Sequence, residues 1–262
     1  MNHQNNRNPV VLVHGIIRTS SVFRTLAPYL IKQGWSVYLI DLTPNNATLP
    51  LEEMAAQVRD FINKTFPPEQ PIDLVGLSMG GLVTRYYVQR LGGMHRVQRF
   101  ITISAPNQGT WLAYLWHRRT CVQMRPSSVF LEDLNQDIQM LEHINYTSLW
   151  TPWDFIIIPA RNSQMPVGRD VKLSVFAHAF MVVHPRSLAA IVAALSEPIK
   201  SDILHHSQKV EKANSPAPSY KEGEKEKFVS WKGEPEILLP SPKRREVGGE
   251  IKLIIATDED AS

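Results

Sequence analysis

The sequence contains a single cysteine, Cys121, among 262 residues. One cysteine cannot form an intramolecular disulfide, and chains with few cysteines suit a reducing compartment. No apolar run reaches the roughly 18 residues of a membrane-spanning helix. Residues 1–9 also lack the charged segment and long apolar region of a secretory signal. The sequence therefore predicts a cytoplasmic protein.

Acidic residues are absent between Asp73 and Glu132, whereas seven arginines occur there. They are Arg85, Arg90, Arg96, Arg99, Arg118, Arg119 and Arg125. Such a bias favours contact with an anionic surface, lipid headgroups included. The alternative is a solvated helix face, because arginine stems cover apolar surface while their charged heads stay in water. Nucleic acid is not an expected partner, since no recognisable binding module accompanies the charge.

Short apolar runs alternate with helical patterns from residue 9 to about 196. This alternation is typical of a mostly parallel central sheet with helices on both faces. The strand-like runs are residues 10–13, 35–42, 72–76, 100–104, 147–151 and 171–176. The helical patterns are residues 20–34, 51–66, the run after Ser78, and 185–195. The first begins at a serine cap and has Gly34 at its end, and the last has Pro185 in its first turn. The sequence predicts one α/β domain spanning residues 1–200.

Two segments depart from the alternation. Residues 107–145 hold WLAYLW and the weakly amphipathic VFLEDLNQDIQMLEHI, which indicate an inserted helical cap. Residues 201–262 alternate positive and negative charges rapidly, a composition that predicts a disordered tail. Two apolar patches in that tail, 237–239 and 251–255, are candidates for local docking.

The stretch GLSMGG, residues 76–81, places a serine among glycines where a strand-like run meets a helical one. A strand that turns at once into a helix strains the residue at the turn and needs small neighbours. Gly76 and Gly80 supply that space in a G-x-S-x-G pattern, and Ser78 then projects its hydroxyl above the sheet. The pattern predicts that Ser78 is a nucleophile at the start of a helix, where free N–H groups favour negative charge.

A serine hydroxyl needs a base within hydrogen-bonding reach, and the base needs a carboxylate that fixes its tautomer. After a nucleophile of this kind, the acid and then the histidine follow at the carboxyl ends of later strands. Asp154 comes shortly after TSLWT, and His178 comes shortly after VKLSVF. Both are therefore expected at the same edge of the sheet as Ser78.

Other acids and histidines fit these roles less well. Asp41 ends an earlier strand and is better placed to organise a loop, while Asp170 precedes a strand and so faces the opposite edge. His184 precedes Pro185 at the start of a helix, and His14 comes before Ser78, where it is better placed to brace its loop. The remaining candidates lie on helical or cap segments, where surface or core packing is the default: His95, His117 and His143.

A tetrahedral intermediate carries a negatively charged oxygen, which two backbone N–H groups must meet. One donor is expected from Met79, the residue after the nucleophile. The other is expected from the loop after the first strand, HGIIRTS, in which Ile16 is the best candidate.

Four elements, VVLVHGI, DLVGLSMGG, TSLWTPWD and the histidine of FAHAF, together resemble the bacterial lipase and esterase branch of the α/β-hydrolase superfamily. The resemblance covers residues 9 to about 196. It implies hydrolysis of carboxylic esters through an acyl-enzyme. It also implies a triad of Ser78, Asp154 and His178, with Ile16 and Met79 as oxyanion donors.

The stretch SAPNQGT, residues 104–110, is similar to the S-P-x-x-G-T of many triacylglycerol lipases, with one inserted position. The cap is longer than in small lidless members, so the resemblance does not imply lid-free access. Its apolar residues either line an acyl channel, which favours a lipid ester substrate, or pack the cap onto the domain. They are Trp111, Leu112, Tyr114, Leu115, Trp116, Val129, Phe130 and Leu131.

The expected chemistry needs neither a metal nor an organic cofactor. An acyltransferase or a thioesterase with the same triad is one alternative, distinguished by the acyl donor or acceptor. A non-catalytic module that binds a lipid surface is another. Three separated polar side chains in register favour an enzyme, because a binding module has no use for them.

Overall fold

The computed structural model describes residues 7–200 and 251–254. Six strands form a parallel sheet in the order β6-β5-β4-β3-β1-β2, and a seventh pairs antiparallel with β2. The strands are β1 (Val10–Val13), β2 (Val37–Ile40), β3 (Ile72–Leu77), β4 (Val97–Ile103), β5 (Asn145–Trp150), β6 (Arg169–Lys172) and β7 (Ile251–Ile254). The predicted α/β class with a mostly parallel sheet is confirmed.

Helices cover both faces of the sheet, as predicted. They are α1 (Leu26–Lys32), α2 (Leu51–Thr65), α3 (Met79–Arg90), α4 (Arg119–Gln123), α5 (Val129–Gln136) and α6 (Pro185–Leu195). Alternate residues of β1 enter different cores: Val11 and Val13 pack with α2 and α3, whereas Val10 and Leu12 pack with α1 and α6. Both faces of the strand are therefore buried, which explains its uninterrupted apolar sequence.

The predicted helix over residues 20–34 forms in two parts. A 3₁₀ helix (Ser20–Phe23) precedes α1, and no side chain caps it. The backbone N–H of Ser20 donates to the carboxylate of Asp41, in the loop after β2. A contact between two loops therefore satisfies the first N–H group of this helix. At the other end Gly34 adopts a φ of 92°, as expected for a glycine that terminates a helix.

The predicted and observed strand boundaries differ most at β6. The strand ends at Lys172, although the apolar sequence pattern continues to Phe176. Asp170, expected before the strand, lies within it. Its carboxylate accepts hydrogen bonds from Nε1 of Trp150 and Nε2 of Gln164, both at 3.0 Å. The placement of its strand was wrong, because short strands at a sheet edge are specified by pairing rather than by apolar pattern.

The cap segment, residues 107–145, is helical as predicted. Besides α4 and α5 it contains two 3₁₀ helices, Trp111–Leu115 and Ile138–His143. Phe130 and Leu131 are buried, and Phe130 stacks on Tyr86 of α3 with ring centroids 5.6 Å apart. Of the two roles predicted for the apolar cap residues, Phe130 and Leu131 therefore pack the cap onto the domain and do not line an acyl channel.

A buried guanidinium joins the cap to α3. Arg85 is fully buried and donates from Nη2 to the Leu134 carbonyl at 2.6 Å and to Oδ1 of Asn135 at 2.8 Å. Its Nε donates to Oε1 of Gln89 at 2.8 Å. Burial lowers the pKa of Arg85 to about 10, which still leaves it charged at neutral pH. The charge is spread over carbonyl and amide oxygens, and these bonds hold α5 in place.

The arginine-rich stretch does not form one basic surface. Arg85 is buried, Arg90 pairs with Asp133 and Asp137, and Arg99 pairs with Asp73. Arg96 donates to Oδ1 of Asn63 and to backbone carbonyls at the end of α2. In the cap, Arg118 and Arg119 are exposed, and no carboxylate among residues 7–200 pairs with them or with Arg125.

Strand β7 lies within the segment whose composition predicts disorder, and it places one of the two apolar patches on the sheet edge beside β2. The predictions for residues 201–250 and 255–262 lie outside the described residues. Among those that are described, no helix is both long and apolar enough to cross a membrane.

Asp73 is the second residue of β3 and is fully buried. Its carboxylate accepts from Nδ2 of Asn8 at 2.9 Å and pairs with Nη1 of Arg99 at 3.1 Å. Burial raises the pKa of Asp73 to about 6 from 3.8, although Asn8 and Arg99 oppose the rise. The folded protein therefore binds this proton more tightly than the unfolded chain does, and Asp73 contributes more to stability as the pH falls through that interval.

We expect Asp73→Asn to separate this contribution from all others, because the amide does not titrate. From about pH 7 to about pH 4, the wild type should gain roughly 2 kcal/mol in unfolding free energy relative to the variant. Urea unfolding of both proteins across that range measures the difference. A difference independent of pH would show that the Asp73 pKa is unchanged on folding.

Candidate active site

Ser78 occupies the turn between β3 and α3. Its φ of 54° and ψ of −124° lie in a region that residues with a Cβ rarely adopt. The Ser78 backbone N–H donates to the Ile103 carbonyl of the neighbouring strand at 2.8 Å. Its side chain is 7% exposed, at the edge where the parallel strands end. Pairing with β4 therefore holds the strained residue at the surface of the sheet.

Glycines around Ser78 allow three backbone segments to approach closely. A Cβ on Gly80 would lie 2.4 Å from the Val13 carbonyl oxygen and 2.5 Å from that of His14. A Cβ on Gly76 would lie 2.5 Å from Oγ1 of Thr84 and 2.6 Å from the Gly80 carbonyl. The first turn of α3 can therefore pack on the end of β1 only where both positions lack a side chain.

Asp154 and His178 are joined by a hydrogen bond. Nδ1 of His178 lies 2.7 Å from Oδ2 of Asp154. The other carboxylate oxygen accepts the N–H groups of Ile156 and Ile157, both at 2.9 Å. Burial alone raises the pKa of Asp154, but the bond to His178 and these backbone donors together hold it below its usual value. The carboxylate is therefore ionised at neutral pH, and Nε2 of His178 is left to accept a proton.

The loops after β5 and β6 bring Asp154 and His178 to the edge of the sheet that carries Ser78. Asp154 follows β5 and His178 follows β6, and both strands run parallel to β3 in the same sheet. Within residues 7–200, no hydrogen bond joins the Ser78 hydroxyl to the His178 ring. The structure thus brings the acid and the histidine together and places the serine on the same edge.

The loop after β1 lies against Ser78. A Cβ on Gly15 would be 3.1 Å from the Ser78 Cβ. Nδ1 of His14 lies 2.8 Å from the Gly15 carbonyl oxygen, and Nε2 accepts the Leu42 N–H at 2.9 Å. Because Nε2 accepts, Nδ1 carries the proton and donates to Gly15. Burial lowers the pKa of His14, which keeps the ring neutral for both bonds.

His14 thereby orients the peptide bond between Gly15 and Ile16. In a trans peptide the C=O and N–H point in opposite directions, so anchoring the Gly15 carbonyl directs the Ile16 N–H. In the described part of the chain, no backbone carbonyl accepts the Ile16 N–H. The Met79 N–H is the first of α3 and has no acceptor within the helix. Among residues 7–200, neither predicted donor is bonded to a backbone carbonyl.

Comparisons with known proteins agree with this architecture. Residues 9–137 match the palmitoyl protein thioesterase family model. Human lysosomal thioesterase PPT2 is 33% identical over 116 residues, which cover 42% of this chain and 37% of that protein. The alignment therefore spans little more than a third of this relative's length.

Two solved lipase structures share the fold. Aspergillus fumigatus lipase B matches with a TM-score of 0.65 and 20% identity, over 79% of this chain and 57% of that one. The mature form of Bacillus licheniformis lipase BlEst2 matches with a TM-score of 0.57 and 18% identity, over 73% and 93%. These likenesses show that the chain has the α/β-hydrolase fold.

The thioesterase match includes the Ser78 turn and ends before Asp154 and His178. The names of the relatives place those proteins in the lysosome, whereas the single cysteine of this chain predicts the cytoplasm. The cytoplasmic location stays a prediction.

The other acids and histidines considered for these roles lie elsewhere in the fold. Asp41 holds the Ser20 loop, and His14 braces the Gly15 loop, as expected. His184 caps α6, where its Nδ1 accepts the Arg186 N–H at 3.2 Å. The other three histidines considered for the base are exposed on helical or cap segments: His95, His117 and His143.

Sequence reasoning missed Thr110, which connects the cap to the loop that carries Asp154. Its hydroxyl donates to the Ile156 carbonyl at 2.8 Å and accepts the Ile158 N–H at 2.9 Å. The only local signal is the SAPNQGT stretch that ends at Thr110, and that stretch does not reveal a partner more than 40 residues away. Thr110 therefore stabilises the backbone that presents two N–H groups to Asp154.

The glycines allow a double-mutant test of the Ser78 turn. A Cβ on Gly81 would lie 2.4 Å from the Ala105 Cβ, a side-chain atom. We expect Gly81→Ala to cost about 1–3 kcal/mol through overpacking, and Ala105→Gly in the same chain to recover most of it. Gly80→Ala meets backbone oxygens instead, so no side-chain replacement should rescue it.

Urea unfolding of the single and double variants measures this coupling. Additive effects of Gly81→Ala and Ala105→Gly would contradict the contact between α3 and the loop after β4.

Proposed function

We propose that the chain is a serine hydrolase that cleaves lipid acyl esters or thioesters through Ser78, His178 and Asp154. The observation that carries the proposal is the 2.7 Å bond between Asp154 and His178, at the sheet edge where Ser78 adopts its strained turn. A neutral imidazole held by a carboxylate has a free Nε2, which is what a serine nucleophile needs as a base.

In the first half-reaction, Oγ of Ser78 attacks the acyl carbonyl carbon and Nε2 of His178 takes the hydroxyl proton. Asp154 stabilises the imidazolium that forms and does not take the proton itself. The carbonyl oxygen becomes an oxyanion, which the N–H groups of Ile16 and Met79 meet. As the tetrahedral intermediate collapses, the bond to the leaving group breaks and His178 returns the proton to that group.

Water completes the cycle. His178 removes a proton from water, the hydroxide oxygen attacks the acyl-enzyme carbonyl, and the Ser78 oxygen leaves and is reprotonated by His178. An acyltransferase would differ only at this step, because another hydroxyl or thiol would replace water. Hydrolysis is the proposal, since the thioesterase and the two lipases to which this chain is similar are hydrolases by name.

The substrate is proposed to carry a long apolar acyl group. Trp111, Tyr114, Leu115 and Trp116 of the cap are exposed and available to contact an acyl chain. The match to palmitoyl protein thioesterases over residues 9–137 favours a thioester as the second candidate bond. A thiolate, with a pKa near 8.5, leaves more readily than an alkoxide and depends less on protonation by His178.

Ser78→Ala should abolish turnover of both bond types. We expect a loss of at least about a thousandfold in kcat, because the variant keeps the oxyanion donors but has no nucleophile. Two peptides that differ only in carrying the same palmitoyl group on a cysteine or a serine compare thioester with ester hydrolysis. The ratio of their kcat/KM values identifies the preferred bond.

Ser196→Ala, at an exposed serine just after α6, is the matched control and should retain wild-type kcat. Equal turnover by wild type and Ser78→Ala would disprove the proposed nucleophile. Turnover of neither peptide by the wild type would reject the proposed substrate class.

Two variants of His14 test whether this residue positions the oxyanion donor. Asn places its amide near the Nδ1 position and retains the donor to Gly15, whereas Gln reaches the Nε2 position and retains only the acceptor for Leu42. We expect His14→Asn to keep kcat within about tenfold of wild type and His14→Gln to lose about a hundredfold, with similar KM values. Equal losses in kcat would indicate a structural role alone.

A further inference from the structure

Exposed apolar side chains are concentrated at one edge of the molecule. Within residues 7–200, every large hydrophobic side chain that is exposed belongs to a loop at the carboxyl ends of the strands or to the cap. Ile17, Leu115 and Phe176 are 70%, 67% and 66% exposed. Soluble surfaces carry scattered apolar residues, but a contiguous concentration marks an interaction site.

Four segments form this surface, which we call the apolar collar: residues 16–18, 111–119, 153–158 and 176–180. Two of them carry Asp154 and His178, and the first contains Ile16. The collar therefore includes the loops that carry two of the proposed catalytic residues and one proposed oxyanion donor.

Contacts within the fold make the collar continuous. The Trp111 N–H donates to the Ile158 carbonyl at 2.9 Å, which joins the cap to the loop after β5. The rings of Phe155 and Phe176 pack edge to face with centroids 6.0 Å apart, which joins that loop to the His178 loop.

The remaining connection passes through the loop after β2. The Ile17 N–H donates to the Asn45 carbonyl at 3.0 Å, and Nη1 of Arg118 donates to the Asn46 carbonyl. Adjacent residues of one loop thus hold the first and second segments of the collar together.

The charge of the collar is positive. Arg18, Arg118 and Arg119 are exposed within it, and the guanidinium of Arg125 lies 4.9 Å above the Tyr114 ring at its border. Asp154 is the only carboxylate in the four segments, and it is buried against His178. Exposed tryptophans at Trp111, Trp116 and Trp153 add rings that favour a membrane–water interface.

We propose that the apolar collar docks on the surface of an anionic lipid bilayer. Apolar side chains would enter the boundary between headgroups and acyl chains, and the arginines would meet lipid phosphates and carboxylates. A second copy of the chain fits less well, because an isologous contact would bring the cap arginines of two subunits together. The inference builds on the proposed function, since a docked collar presents Ser78 to acyl groups anchored in the membrane.

Vesicle flotation of the full chain tests the docking. Wild type should bind phosphatidylcholine vesicles that contain about one third phosphatidylserine, and should bind more weakly as salt is raised. We expect Leu115→Glu and Arg119→Glu each to weaken binding by about tenfold, because one removes an inserted side chain and the other reverses a charge.

Two controls make the same charge changes away from the collar. Ala189→Glu, on the exposed side of α6, matches Leu115→Glu, and Lys64→Glu, in the last turn of α2, matches Arg119→Glu. Both should bind vesicles as the wild type does. Absence of wild-type binding, or equal weakening by variants and controls, would overturn the proposal.

Sedimentation of the same proteins tests whether a second copy of the chain, rather than a bilayer, covers the collar. A wild-type dimer that Leu115→Glu converts to a monomer, without vesicle binding, would make the collar a subunit interface and overturn membrane docking. Ser78→Ala separates the two proposals, because it should float with vesicles like the wild type. If Ser78→Ala binds vesicles but retains activity, the proposed nucleophile fails while the docking surface stands.

Discussion

The close approach of the first turn of α3 to the end of β1 is the contact on which the site depends. Gly80 lies against the carbonyls of Val13 and His14, and a methyl group there would overlap both. This packing brings the loop after β1 against the turn that carries Ser78. The strain at Ser78 is tolerated because its backbone is bonded to β4 and its neighbours lack side chains.

Buried polar side chains set the positions of the loops and of the cap. His14 uses both ring nitrogens to connect the loops after β1 and β2. Thr110 connects the cap to the loop of Asp154, and Arg85 fixes α5 on α3. Because an unpaired polar group is costly when buried, each of these bonds constrains a loop more strongly than apolar contact alone would.

The cap divides into two parts with different surroundings. Its second half, from Phe130 onward, packs on α3 and belongs to the core. Its first half presents tryptophan, tyrosine and leucine side chains outward, beside arginines without carboxylate partners among the described residues. The interpretation of cap residues as packing is therefore correct for Phe130 and Leu131, while Leu115 and Trp116 are available to lipid.

The amino-acid sequence by itself determined the alternation of buried strands and helices, and the glycine and serine pattern of the turn at Ser78. It also supplied the order in which Asp154 and His178 follow their strands. These features follow from hydrophobic periodicity and local backbone sterics, which short segments contain in full. Only the tertiary structure decided that Asp154 meets His178, that His14 orients the peptide before Ile16, that Arg85 is buried, and that four separate loops form one apolar collar. Such contacts join residues far apart in the chain, so they depend on sheet register and loop packing that no local pattern encodes.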